Sequence, residues 1–360
     1  IAAVVGLALV GLNLLRSVYT EYLWFSDLRY VSVYLKMVST QALLFVAGAI
    51  LVGGLLLGNL LLARRGSAGP VGPGVPLEMA SMLQRLLTAG VTFGTLIVAF
   101  IFGSIATGEW AVLLRFLEQV PFGKADPLFN QDIGFYVFSL PLLRFGQSWL
   151  MGALVVTLLG VLAVYFLNFS LQGLVFSFSR PVKAHVLTLG AAVMALLAFS
   201  YWLDTFELVY SPRGAVFGAT FADVNAQLAA LRLLIGVALA VAAVLVASIF
   251  QQGFRLPLTA VGIWLAAVIV GANMYPAVVQ RFDVEPNEFV REEQYIAHNI
   301  RMTRDAFGLD RVQDQQFPAG ATVTEADLRN NPDTVNNIRL WDHRPLKATL
   351  NQIQFIRLYY

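Results

Sequence analysis

The side chains of this 360-residue chain that could do chemistry are mainly carboxylates. Asp204 and Glu207 stand three apart, so they share one face if a helix carries them. Asp126, Asp132 and Asp223 stand beside turn residues, and Glu109 lies on a further connecting stretch. Oxygen-rich loops of this kind can bind calcium. No EF-hand spacing occurs, and pairing of the acids with Arg115, Arg144 and Arg213 is the more economical account. Carboxylates beside turns also cap backbone N–H groups. Asp126, Asp132 and Asp223 are therefore expected to serve structure before chemistry, with an amide tolerated at position 132. A second cluster, Arg339, Trp341 and Asp342, lies near the C-terminal end. There Arg339 suits a forked bond to a carboxylate, and Trp341 suits packing against the helix that follows. Contact with an outside glycan or anionic polymer is the alternative.

Other chemistry is absent from the sequence. Cysteine is missing, which removes disulfides, thiol redox sites and thiolate-bound metal clusters. His185, His298 and His343 form no HExxH pair, and no P-loop, GxGxxG or GxSxG motif occurs. Glu293 and His298 stand five apart, about 500° around a helix, so they do not stack as metal ligands would. No catalytic residue, cofactor or metal is expected. A net charge of +2 gives no reason to expect nucleic acid.

The elements that would position these residues are membrane spans. The chain is 58% hydrophobic and 13% charged, against roughly 45–50% and about 25% in soluble domains. Its mean hydropathy is +0.70. Residues 281–360 hold 22 of the 46 charged side chains. Seven stretches without Asp, Glu, Lys or Arg approach or reach the length of about 20 residues that crosses a bilayer: 1–15, 38–62, 86–107, 145–169, 184–203, 233–250 and 256–279. Their runs are continuous rather than alternating, which excludes β-barrel strands. Within them, Gln147 and Asn273 are expected to bond between helices. The expected fold class is an all-α membrane protein. A bundle of about seven transmembrane helices with long outer loops occupies 1–280, and 281–360 begins an extracytoplasmic soluble domain.

Charge orients the bundle. Arg64, Arg65, Arg85, Arg180, Lys183 and Arg255 lie on one set of loops with a single acid, Glu78. The opposite loops carry nine acids, among them Glu21, Asp27 and Glu118. The positive-inside rule places the arginine side and the N-terminus in the cytoplasm, and the segment after Val279 outside. Glu109–Gln119 reads as a short helix in the interface. In the tail, Pro286 and Asn287 suit a helix start, with Phe289, Ile296, Ile300, Thr303 and Phe307 at helical spacing and Gly308 closing it. Thr324 with Asp327 fits a capping box, and Pro345 opens a helix carrying Leu346, Leu350 and Ile353 on one face. The opening isoleucine points to missing N-terminal residues, and the apolar end Leu358-Tyr359-Tyr360 to a tail that either continues or packs on the outer loops.

Three groups of landmarks carry a resemblance. The first is Glu21-Tyr22-Leu23-Trp24-Phe25. The second is Asp126-Pro127-Leu128-Phe129 with Asp132-Ile133-Gly134-Phe135-Tyr136, followed later by Tyr210-Ser211-Pro212-Arg213-Gly214. The third is Val284-Glu285-Pro286-Asn287-Glu288 and Asn337-Ile338-Arg339-Leu340-Trp341-Asp342 in the tail. Together they resemble uncharacterised protein family 0182, bacterial multi-pass membrane proteins. The resemblance implies seven spans and a long soluble region past the Tyr-Tyr landmark. It supplies no activity, substrate or catalytic residue. The expected role is a non-enzymatic envelope anchor in the bacterial cell membrane that presents its outer domain to a partner, within the lipid bilayer and a larger membrane or envelope complex. A transporter or lipid-handling protein is the alternative.

Overall fold

A computed structural model describes residues 2–66, 77–171, 179–214, 216–316, 320, 322–339 and 342–353, with side chains described from residue 15 onward and not at 77, 80 and 171. The chain divides into two compact units, Ile1–Thr303 and Arg304–Tyr360.

The first unit is helical. Its long helices are α1 (Ala2–Asp27), α2 (Val31–Gly66), α3 (Leu77–Gly108), α5 (Leu140–Leu171), α6 (Arg180–Glu207), α7 (Leu228–Ala247), α8 (Arg255–Ala267) and α10 (Glu288–Ala306). Two short helices, α4 (Trp110–Leu117) and α9 (Tyr275–Val279), are also present among the described residues. Among the described residues six helical stretches are long and apolar enough to cross a membrane: 31–66, 81–108, 135–170, 180–210, 223–250 and 255–306. The chain is thus built as a multi-pass membrane protein. The expected first span, 1–15, falls almost wholly on residues whose side chains lie outside the described set, so the count of seven is not reached.

Each of these helices follows from its apolar run, but several bonds expected from sequence fall elsewhere. Asn273 donates to the Val268 carbonyl (3.1 Å) inside its own π-helical turn, Val268–Met274, rather than to another helix. The Gln147 side chain, though buried, accepts from its neighbour Ser148 (3.2 Å). Polar ties between helices use other groups. Trp149 Nε1 donates to the Phe102 carbonyl (3.0 Å), and Trp264 Nε1 to the Tyr201 hydroxyl (3.2 Å). His185 joins three helices, with Nδ1 2.9 Å from the Tyr165 hydroxyl and Nε2 2.9 Å from Asn59 Oδ1. The amide oxygen can only accept, so the proton sits on Nε2 and the tyrosine donates to Nδ1.

Small residues set the α2–α3 crossing. A Cβ added at Gly103 would lie 2.8 Å from the Phe45 carbonyl oxygen, so the backbones approach as only glycine permits. One apolar core joins α2, α3, α5 and α6 around Leu56, Leu60, Val161 and Tyr165. A second joins α6, α7 and α8 around Met194, Ala238 and Val241. Opposite ends of this bundle differ chemically. One bears the arginines Arg64, Arg65 and Arg85; the other bears the acid-rich loops.

The helix that carries the last span does not stop at Val279. It runs on through a π-helical turn, Gln280–Val284, and a 3₁₀ turn, Glu285–Asn287, into α10. The expected apolar stripe of α10 is not its inward face: Phe289 is 74% exposed, whereas Glu292 is 3% exposed.

In the second unit Gly308 takes a left-handed φ of 64°, just past the end of α10, where a Cβ would be strained. Helix α11 (Glu325–Asn330) begins with the full capping box between Thr324 and Asp327. Helices α12 (Pro332–Asn336) and α13 (His343–Ile353) follow, and none of the three has a buried residue.

Candidate functional site

The acid-rich loops are shaped by their own carboxylates. Between α4 and α5 the chain folds back so that Ala125 and Asp132 form an isolated antiparallel bridge. Asp126 closes the turn within it. Its Oδ1 accepts the N–H groups of Leu128 and Phe129, each at 2.8 Å, and its Oδ2 accepts the Gln131 N–H and the Tyr136 hydroxyl, each at 2.9 Å. Asn130 adopts φ 55° at the tip, a conformation asparagine tolerates.

Asp132 gathers the approach to this turn. Its Oδ1 accepts from Phe122 (3.0 Å) and Gly134 (2.7 Å), and its Oδ2 from Gly123 (2.9 Å). A Cβ on Gly134 would lie 2.8 Å from the carboxylate, so glycine is required there. These N–H donors, foremost that of Phe122 and then that of Gly134, hold the Asp132 carboxyl below its ordinary range. Both oxygens are engaged by donors. An amide at 132 would keep the Phe122 and Gly134 bonds on its oxygen and turn its NH₂ toward the Gly123 donor, so Asn would preserve only part of this cap.

Arg144, near the start of α5, forks onto the end of α6. Its Nη2 lies 2.5 Å from Asp204, its Nε 2.7 Å from Glu207, and its Nη1 3.2 Å from Ser200. The three-residue spacing of the two acids presents both to one guanidinium. Loop and helix end are further joined by the Phe206 ring, packed edge-on against Phe129 and Phe135.

Asp223 is 1% exposed and opens the π-helical turn that leads into α7. Its Oδ1 lies 3.2 Å from Arg213, and its Oδ2 accepts from the Thr220 N–H (3.2 Å) and hydroxyl (2.9 Å). Sequence reasoning missed Glu292, whose carboxylate accepts the Phe221 N–H at 3.1 and 3.2 Å from across 71 residues. Arg291 lies 4.9 Å over the Phe221 ring, and Asn299 donates to the Phe217 carbonyl (2.7 Å). The signal was a polar stripe, Glu292, Tyr295 and Asn299, at helical spacing; attention to apolar periodicity passes over it.

Other expected pairings do not occur among the described residues. There Arg115 donates to the Ala111 carbonyl (3.2 Å) and meets no acid, and Glu109 makes no side-chain capping bond at the start of α4. Glu118 instead pairs with Lys36 (2.9 Å), both exposed, and this bond lowers its carboxyl below the usual range. Asp342 caps α13 and accepts from Arg344, while Arg339 is exposed and makes no hydrogen bond or ion pair among the described residues. Trp341 lies outside them. Among the described residues no three His, Asp or Glu side chains gather where they could hold a metal ion.

The site is thus a loop face whose acids hold backbone and arginines in place. It extends through Phe206, Tyr210 and Arg213 from the first loop to the second.

The model of the uncharacterised protein family UPF0182 matches residues 1–360. A UPF0182 protein of Desulforamulus reducens is 34% identical over 364 residues, covering 95% of this chain and 39% of that protein. One from Pelotomaculum thermopropionicum is 35% identical, over 99% and 40% of the two chains, and one from Cupriavidus necator is 37% identical, over 98% and 40%. No solved structure matches. The chain spans about two fifths of the length of these curated relatives. It belongs to the uncharacterised protein family UPF0182.

Proposed function

We propose that this chain is the membrane platform of an envelope protein. Its helices anchor it in the bacterial cell membrane with the arginine end in the cytoplasm. The acid-rich loop face and the segment after α9 then lie outside, where they engage a protein or envelope polymer. One observation carries this reading: the loop face is held by buried carboxylates, yet it exposes large apolar side chains. Phe122 is 52% exposed and Phe217 64%. A rigid face with exposed aromatic residues has the composition of a contact surface.

The orientation rests on the charge asymmetry of the loops. Single cysteines at Ser67 and Thr324 test it, since the chain has none of its own. An impermeant thiol reagent on intact cells should label 324 only, and labelling at 67 instead would invert the orientation. The contact surface is tested by Phe122→Ser with Phe217→Ser. In mild detergent the parent should co-purify with a stoichiometric partner that this variant loses at unchanged melting temperature. Repeated recovery of the parent alone would remove the support for a platform.

A further inference from the structure

Beyond the platform reading, and independently of it, a different part of the bundle has the features of a ligand site. We propose that the chain binds one anionic glycerophospholipid, with an acyl chain seated in a groove between α3 and α5 at the arginine end. The groove has a volume of about 680 Å³, within the usual range of ligand pockets. Leu83, Leu87 and Gly90 of α3 face Val164 and Leu167 of α5, with Leu60 of α2 also lining it.

Only Ser170 among the lining residues is polar, and its hydroxyl already donates to the Phe166 carbonyl (2.9 Å). Such walls give water no partners and suit a hydrocarbon chain. The α5 wall runs from Gly160 to Ser170, roughly 15 Å along a helix axis. That is half of a hydrocarbon core of about 30 Å, so the groove has the depth of one leaflet.

The headgroup class follows from charge. At the Ser170 end of the groove, α2 finishes with Arg64 and Arg65. Glu78 is the one acid where α2 ends and α3 begins. Arg64 follows Leu60 by one turn and reaches Thr88 of α3 (3.0 Å), which fixes its guanidinium beside the crossing. Planar guanidinium forks suit phosphate, and their net positive charge favours a lipid whose headgroup adds no cation.

Gly90 provides the test. A Cβ there meets no atom within 4 Å, so Gly90→Phe adds a ring to the groove without a backbone clash. The intact protein would be purified in mild detergent and stripped of lipid. Phosphatidylglycerol or phosphatidylcholine would then be added, and bound lipid counted by native mass spectrometry. The parent should retain one phosphatidylglycerol, with at least tenfold lower occupancy by phosphatidylcholine. Gly90→Phe should lose this adduct at an unchanged lipid-free melting temperature. If it does not fold, Ala163→Phe fills the groove from the opposite wall and should do the same. Arg64→Gln with Arg65→Gln should bind both lipids equally. Undiminished adducts in folded groove-filling variants would overturn the site, and equal binding of the two lipids by the parent would overturn the headgroup assignment.

Discussion

The loop face and the second unit both rely on carboxylates, but they use them over different distances. In the loop face Glu292 reaches an N–H 71 residues away, and Arg144 bonds to an acid 60 residues away. In residues 304–353 Thr324 and Asp327 cap each other across three residues, and Asp342 caps the N–H of Arg344 two residues on. Burial differs as well. Asp223 and Glu292 are almost fully buried, whereas the Glu325–Arg329 pair is more than three-quarters exposed on each side. A local cap stabilises one helical turn wherever that turn lies. A buried long-range carboxylate fixes where two distant segments meet, and its removal leaves donors without partners.

The sharpest way to break this contrast is Asp223→Ala. It leaves the buried Thr220 donors unpaired and takes the partner from the exposed Arg213, and should lower the stability of the first unit by about 2–3 kcal/mol. Chemical denaturation in detergent measures this; a change below about 0.5 kcal/mol, within surface scatter, would show that the burial is not consequential. Asp126→Asn should follow, at about 1–2 kcal/mol, because one of its two accepting oxygens becomes a donor. Melting of Asp126→Asn and Asp126→Ala side by side checks this, and an Asn variant equal to the parent would mean that a single oxygen suffices.

Thr324→Ala tests the other side of the comparison. It removes a cap worth about 1 kcal/mol to α11 and should leave the melting of the first unit unchanged. Circular dichroism and a melt of the intact chain separate the two effects. The smallest effect is expected from acid. A carboxyl held below its ordinary value stabilises the fold above the unfolded value, about 3.9 for Asp, and that contribution disappears as pH falls through the folded value. The Asp132 loop should therefore remain closed at pH 5 and open only below the usual carboxylate range. Tryptic cleavage at Lys124 after brief acid pulses would report this, and opening already at pH 5 would contradict it.

The helical spans were legible because their apolar runs are long and uninterrupted by charge. The Arg144 fork was legible because two acids three apart at a helix end need a cation, and Arg144 begins the neighbouring span. The partners of Glu292 and His185 were not legible. They lie 71 and up to 126 residues away, and the polar spacing of Glu292, Tyr295 and Asn299 marks a helix face without saying which segment it meets. The continuation of the last helix past Val279 was not legible for a related reason. Charge after Gln280 signals a change of solvent, but helices need not stop where the solvent changes.

Amide hydrogen exchange across the loop face tests its central feature most directly. The N–H groups of Leu128, Phe129, Gln131, Phe122, Gly123, Gly134, Thr220 and Phe221 all donate to carboxylates. They should exchange slowly in the intact protein at neutral pH although most lie in loops, and Asp126→Ala should release the first three far more than the others. Exchange of these amides at unstructured-chain rates in the parent would contradict the account.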